Sequence, residues 1–264
     1  MIERVRQGMP AAFAGGGAIG LLGGMIGLGG AEFRLPLLIG AFGFPALEAV
    51  ILNKAMSLVV VASALPFRSQ TVPFVEVGAN WLVVANLLCG SLAGAWLGAG
   101  WATRLRSETL YKVIAVMLVG IAGVLLLGHG SEGAPAVLSG AAQVAAGVAV
   151  GFLIGVVAAV LGVAGGELLI PTIVLLYGAD IKLAGSLSLA VSLPTMLIAF
   201  ARYSRDGSFA VIRRERSFAL TMAAGSVAGA FAGGYLLGLV PGAILLPLLA
   251  TILLVSAWKV WRHQ

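Results

Sequence analysis

Four stretches of the chain run without a single Asp, Glu, Lys or Arg: Gln7–Ala31, Val77–Thr103, Gly133–Gly166 and Ser217–Trp258. Each exceeds the roughly 20 residues that carry a helix through the hydrocarbon core of a bilayer. The last is interrupted by a turn signal at Leu239-Val-Pro-Gly242. A soluble domain carries about 25 % charged residues. Here 10 % are charged and 60 % hydrophobic, with a mean hydropathy of +1.08, too little polar surface to cover the chain in water. The expectation is an all-α, multi-pass integral membrane protein.

The net charge of +6 does not point to nucleic acid, because the basic residues sit in short loops between apolar runs, where they act as topogenic charge. A lone cysteine, Cys89, excludes an internal disulfide and a cysteine metal cluster. Two histidines, His129 and His263, exclude a histidine-rich metal site. No cofactor is expected. The glycine-rich stretches are not nucleotide loops, since no Lys-Ser/Thr follows them and no strand precedes them. The start, Met1–Arg6 followed by Met9–Gly24, has the look of a signal peptide, but Gly16–Ile26 matches Gly151–Leu161 and so belongs to the fold.

That match is part of a duplication. Gly27-Leu-Gly-Gly-Ala-Glu-Phe-Arg-Leu-Pro36 returns 135 positions later, without a gap, as Gly162-Val-Ala-Gly-Gly-Glu-Leu-Leu-Ile-Pro171. At the same offset Ile19, Gly20 and Gly43 face Ile154, Gly155 and Gly178, and Gly90–Ala95 faces Gly225–Ala230. The expected organisation is therefore two repeats, 1–132 and 133–264, integrated into one membrane domain. Each half reads as five helical segments: about 9–27, 31–42, 46–67, 78–101 and 108–128, then about 136–161, 166–177, 181–202, 214–236 and 242–262. Segments 31–42 and 166–177 are too short to span about 30 Å of hydrocarbon at about 1.5 Å per residue. Each follows a glycine cluster, so each is expected to be the second arm of a broken or re-entrant hairpin that opens its repeat. Its unwound tip must then be buried in protein or line a wet cavity.

Basic residues set the expected orientation. Arg4 and Arg6 precede the first segment, Arg104 and Arg106 follow the fourth, Arg202, Arg205, Arg213, Arg214 and Arg216 crowd one loop, and Lys259 and Arg262 lie near the last residue. Placing these in the cytoplasm puts both termini inside, with loop 68–77, which carries Arg68 and Glu76, as a mild exception. An odd number of spans per half then makes the second repeat inverted relative to the first. Inverted repeats with paired broken helices mark secondary transporters whose substrate sits between the repeats.

Four ionisable groups fall inside membrane segments: Glu32, Arg34, Lys54 and Glu167. Such groups are costly in lipid and face a cavity or one another. Arg34 and Lys54 can hold an anion, helped by backbone N–H groups at the helix starts, Gly29, Gly30 and Ala31 in one hairpin and Ala164, Gly165 and Gly166 in the other. The competing reading is a buried neutral network that only locks the repeats together. Asn53 and Ser57 align with Ser188 and Ser192 and offer hydrogen-bond donors to an oxyanion, although serines in membrane helices also bond back to their own helix or join neighbours. Thr195 extends the second set. Glu32 and Glu167 are candidate coupling or gating groups that take up a proton, or structural bonds to the opposite hairpin. The stripes Gly90, Gly94, Gly98 and Gly225, Gly229, Gly233 let helices approach closely, between repeats or at a homodimer contact.

The two hairpin motifs resemble the paired Gly-rich/Pro signatures of the TauE/SafE sulfite exporter family, as does Ala184-Gly-Ser-Leu-Ser-Leu-Ala190. The resemblance runs over nearly the whole chain and implies a bacterial inner-membrane permease for small sulfur-containing anions such as sulfite, sulfoacetate or thiosulfate, usually moved outward. The chain departs from the family pattern at Ala31, in place of a third glycine, and at Glu32 and Arg34, where aliphatic residues are usual. It departs again at Leu52–Leu58, where Gly-Thr-Ser-Leu would stand. The function expected is a secondary transporter working by alternating access, with a small anion and the bilayer as partners. The alternatives are an anion channel, an importer of another small anion, and, from other classes, a membrane enzyme or a partner subunit. The lack of an activated nucleophile or metal cluster argues against catalysis.

Overall fold

The computed structural model describes residues 9–26, 30–68, 72–127, 138–236, 251, 254, 255, 257, 258 and 260–262. Among these residues every regular element is helical. The helices are α1 (Met9–Ile26), α2 (Ala31–Gly40), α3 (Ala46–Arg68), α4 (Phe74–Ala79), α5 (Trp81–Ala102), α6 (Ser107–Leu127), α7 (Gly140–Leu161), α8 (Gly166–Tyr177), α9 (Ile181–Tyr203), α10 (Val211–Arg214) and α11 (Arg216–Leu236). Four are long and apolar enough to cross a membrane, over Ala46–Ser63, Trp81–Ala102, Gly140–Leu161 and Lys182–Tyr203. The chain is a multi-pass membrane protein.

The segment boundaries follow the sequence reading closely, with two differences. Pro73 starts a short helix, α4, in what reads as a loop. The basic loop after α9 is ordered by a 3-10 turn over Gly207–Ala210, which Asp206 caps by accepting from the Ser208 N–H at 2.8 Å, and by α10. The segment expected over 242–262 lies mostly outside the described residues, as do the loops at 129–135 and 237–241.

The two short helices come out as expected. α2 has 10 residues and α8 has 12, about 15 and 18 Å of rise. Glycine is required at the turns that lead into them. Gly30 precedes α2 at φ 68°, and Gly165 precedes α8 at φ 83°, both left-handed. α7 itself ends on Gly162 at φ 68°, with Val163 N–H donating to the Ala158 carbonyl at 3.0 Å, a six-to-one closure that stops the helix.

Packing exchanges helices between the halves. α1 lies against α11, α5 against α7, and α3 meets α9 at the centre, while α2 packs on α3 and α8 on α9. A Cβ on Gly90 would meet the Val148 carbonyl oxygen, on Gly94 that of Phe152, on Gly151 that of Leu87 and on Gly155 that of Ser91. At the offset of 135, Gly225 meets Phe13, Gly229 meets Gly17, Gly16 meets Met222 and Gly20 meets Ser226. The glycine stripes are thus contacts between the two halves, backbone against backbone, and within each pair the helices run in the same direction.

The start of α3, the ends of α5, α7 and α9 and the start of α11 share one end of the molecule. There Arg214 pairs with Glu48 at 2.6 Å, Arg202 and Arg205 lie over the Trp96 ring, and the Tyr203 hydroxyl donates to the Ala159 carbonyl at 3.0 Å. At the opposite end Asn86 Nδ2 donates to the Tyr177 hydroxyl at 2.8 Å and Gln143 Nε2 to the Leu176 carbonyl at 2.6 Å.

Candidate functional site

α2 is buried along almost its whole length, which takes Glu32 and Arg34 into the interior with it. α3 brings Asn53, Lys54 and Ser57 to the same place. Arg34 and Lys54 are both 0 % exposed, the two largest charged side chains in the core. A buried charge is tolerable only when its polar groups are satisfied, and both cations find hydrogen-bond acceptors. Arg34 Nη1 donates to Asn53 Oδ1 at 3.3 Å and to Ser57 Oγ at 3.1 Å. The Glu32 carboxylate lies within electrostatic reach of both Arg34 and Lys54. Its place in the first turn of α2 also suits the positive end of that helix.

Asn53 joins the two hairpins. Its Nδ2 donates to the Ala31 carbonyl of the first at 3.0 Å and to the Leu161 carbonyl of the second at 3.2 Å. Lys54 reaches only into the second, where Nζ donates to the carbonyls of Ala158 and Val163, each at 2.7 Å. Those acceptors belong to the last turn of α7 and to the second residue beyond it, at the negative end of the helix dipole, and the Ala158 carbonyl also accepts the Val163 N–H that closes the helix. Gly162 makes the approach feasible, because a Cβ there would run into the Val50 carbonyl oxygen of α3.

The structure therefore brings together Arg34, Asn53, Lys54, Ser57, Glu32, Ala31 and the tip of the second hairpin. Lys54 sits on backbone carbonyls, so two of its three N–H donors are committed to α7 and its exit. Ser57 accepts from Arg34 and, being a hydroxyl, keeps its own O–H to donate. Gly30, Gly165 and Gly166 sit at the starts of the short helices, and Ala164 packs in a small apolar cluster with Val61 and Met196. Gly29 and the Glu167 side chain lie outside the described residues.

The serines of α9 divide. Ser188 Oγ bonds back to the Gly185 carbonyl at 2.8 Å, the local closure common in membrane helices. Ser192 Oγ is buried with no hydrogen-bond partner. Its repeat mate is Ser57, which receives Arg34; the mate of Arg34 is Leu169, which has nothing to donate. The same logic explains Ser226, buried without a partner. Its mate Ser91 bonds Thr195 at 2.8 Å, but the mate of Thr195 is Val60. In both cases the mate is hydrogen-bonded, and the residue that stands where the mate's partner would be is apolar.

Sequence reasoning missed Tyr203, a buried hydroxyl that supports the same last turn of α7 as Lys54. Nothing in its neighbourhood marks it out. Ser91 was legible only as part of a repeated Gly-Ser-x-Ala-Gly-Ala word, not as a polar contact.

Among the described residues the molecule is all helical, with two short, proline-containing helices packed around buried charges and four helices long and apolar enough to cross a membrane. Residues 146–264 match the family model described as Sulfite exporter TauE/SafE, the family that the hairpin motifs resemble, and that family is one of exporter-type transporters of sulfur anions. No curated protein gives a match, and no solved structure does.

Proposed function

We propose that the chain is a secondary transporter of small sulfur-containing oxyanions such as sulfite, sulfoacetate or thiosulfate, working by alternating access between halves 1–132 and 133–264 of opposite orientation. Support for opposite orientation comes from the shared end described above. It holds the start of α3 but the end of its mate α9, and the end of α5 but the start of its mate α11. The reciprocal glycine contacts at offset 135 support a twofold relation between the halves.

The observation that carries the anion reading is the fully buried Arg34 guanidinium, set where α2, α3 and the second hairpin meet. Among the described side chains of this cluster two are cations and one, Glu32, is an acid. Cations buried at membrane depth mark substrate and ion pathways. Arg34, the Ser57 O–H and the N–H groups at the starts of α2 and α8 are the donors, with Asn53 and Lys54 holding the frame around them. Ser192, with no protein partner, is the donor offered from the second half, and Glu32 or Glu167 is the group that takes up a proton as the anion leaves. The chain then sits in the bacterial inner membrane with its basic end in the cytoplasm.

The test is labelled sulfite flux in proteoliposomes, with and without a pH gradient, competed by thiosulfate, sulfoacetate and sulfate. Saturable flux that responds to the gradient and is lost in Arg34→Ala, with the variant still monodisperse in detergent, is the expected result. Normal flux in that variant refutes the site. Conductance that never saturates would make the protein a channel.

A further inference from the structure

The contact between Lys54 and the second hairpin has a chemistry of its own. Two backbone carbonyl oxygens, from Ala158 and Val163, converge on one point at the end of α7, and Lys54 Nζ occupies it at 2.7 Å from each. The point is fully enclosed, since Lys54 is 0 % exposed, Ala158 1 % and Val163 1 %. Carbonyls at a helix break, at the negative end of the helix, are among the ligands from which broken-helix transporters assemble sites for a coupling cation; that of Ala158 also accepts the Val163 N–H at 3.0 Å. They carry no proton and tolerate any compact monovalent cation of suitable size.

We propose that the carbonyls of Ala158 and Val163 form a monovalent-cation site whose resident cation is the tethered ammonium of Lys54, so that the conformational cycle of this chain does not use a free sodium ion at that position. The proposal rests on the transporter reading only in its second clause; the site itself does not need transport to exist. The ammonium reaches from the first half into the hairpin of the second, so it does permanently what a bound cation does reversibly. It holds the tip of the α7–α8 hairpin against α3. In the duplicate the mate of Lys54 is Leu189, so the chain carries this tether in one direction only.

Lys54→Met is the informative variant, because methionine keeps the apolar stem but ends one heavy atom short of Nζ, leaving the cation position open. Melting of purified wild type and Lys54→Met is followed in choline, sodium, ammonium and N-methyl-D-glucamine chlorides at constant ionic strength. The variant is expected to melt about 5–10 °C below wild type in choline. Sodium or ammonium should recover at least half of that loss, saturably, while N-methyl-D-glucamine, too large for the site, should not. Wild type should melt at the same temperature in all four salts. A folded variant that is indifferent to sodium and ammonium overturns the proposal. If the variant does not fold, wild type decides: saturable stabilisation of wild type by sodium overturns the proposal, and its absence, with sulfite flux unaffected by a sodium gradient, supports it. A cation-rescued variant of a chain that moves no sulfite would retain the site and refute the transport reading instead.

Discussion

The clearest quantitative consequence of the exchanged packing concerns one substitution placed at two kinds of glycine. Gly155 of α7 faces α5 so closely that an added Cβ would lie 2.8 Å from Ser91 Cα and 2.9 Å from Ala95 N, besides meeting the Ser91 carbonyl oxygen. Ordinary contact begins at 3.4 Å, so the approach to Ser91 Cα alone is short by 3.4 − 2.8 = 0.6 Å. All three atoms are backbone and cannot swing aside, so the helices must separate along a stretch where dispersion is the main attraction. Overpacking of this kind costs about 1–3 kcal/mol, or about 2–12 °C of melting temperature for a chain of this size. Gly20→Ala, the mate, meets Ser226 Cα at 2.8 Å and should lose a similar amount. Gly120→Ala in α6 meets nothing within 4 Å. There alanine gains helix propensity, about 0.5–1 kcal/mol, and should raise the melting temperature by about 1–4 °C. The assay is thermal unfolding in detergent followed by tryptophan fluorescence. A Gly155→Ala protein as stable as wild type, or a shift of the same sign at Gly155 and Gly120, would refute the exchanged pairing of α5 with α7.

Three further outcomes follow from individual bonds. Asp180 caps α9 by accepting from the Lys182 and Leu183 N–H groups at 2.9 and 3.1 Å; Asp180→Ala should cost about 1 kcal/mol, and Asp180→Asn, which keeps the acceptor, much less by the same melting assay. Tyr203→Phe removes one donor to the Ala159 carbonyl, which still receives the Gly162 N–H at 3.1 Å, so about 1 kcal/mol should be lost and not more; a loss beyond roughly 3 kcal/mol would mean that α7 ends differently. The Arg214–Glu48 pair is partly exposed, so Glu48→Gln should cost less than about 1 kcal/mol, a difference that vanishes in high salt. Glu48 holds the Arg214 guanidinium above its ordinary value through its hydrogen bond. A cation whose folded value is raised contributes in full below its unfolded value, so melting near neutral pH should not depend on pH through Arg214.

The site illustrates why buried cations are hard to assign from composition alone. From the sequence, Arg34 and Lys54 are both candidates for an anion, Arg34 the better of the two, and a locking network is the bland alternative. The structure separates them. Lys54 is committed to carbonyls of the second hairpin, as the locking network would have it, whereas Arg34 donates to the side chains of Asn53 and Ser57.

The duplication at offset 135, the helix boundaries, the two short hairpin arms and the buried charges in α2 and α3 were all set by local sequence. Apolar length, left-handed glycines and charge-free runs act within one segment and need no knowledge of its neighbours. Which helix meets which was decided only by tertiary structure. The glycine stripes announce a close contact but not its partner, since the carbonyl that a Cβ would strike belongs to a residue far along the chain, Ser226 for Gly20 and Ser91 for Gly155. The same holds for Lys54, whose acceptors are main-chain oxygens of Ala158 and Val163. Every residue carries such an oxygen, so no pattern of side chains could have marked those two; they became ligands because α7 ends there, inside the protein, with its last carbonyls facing α3.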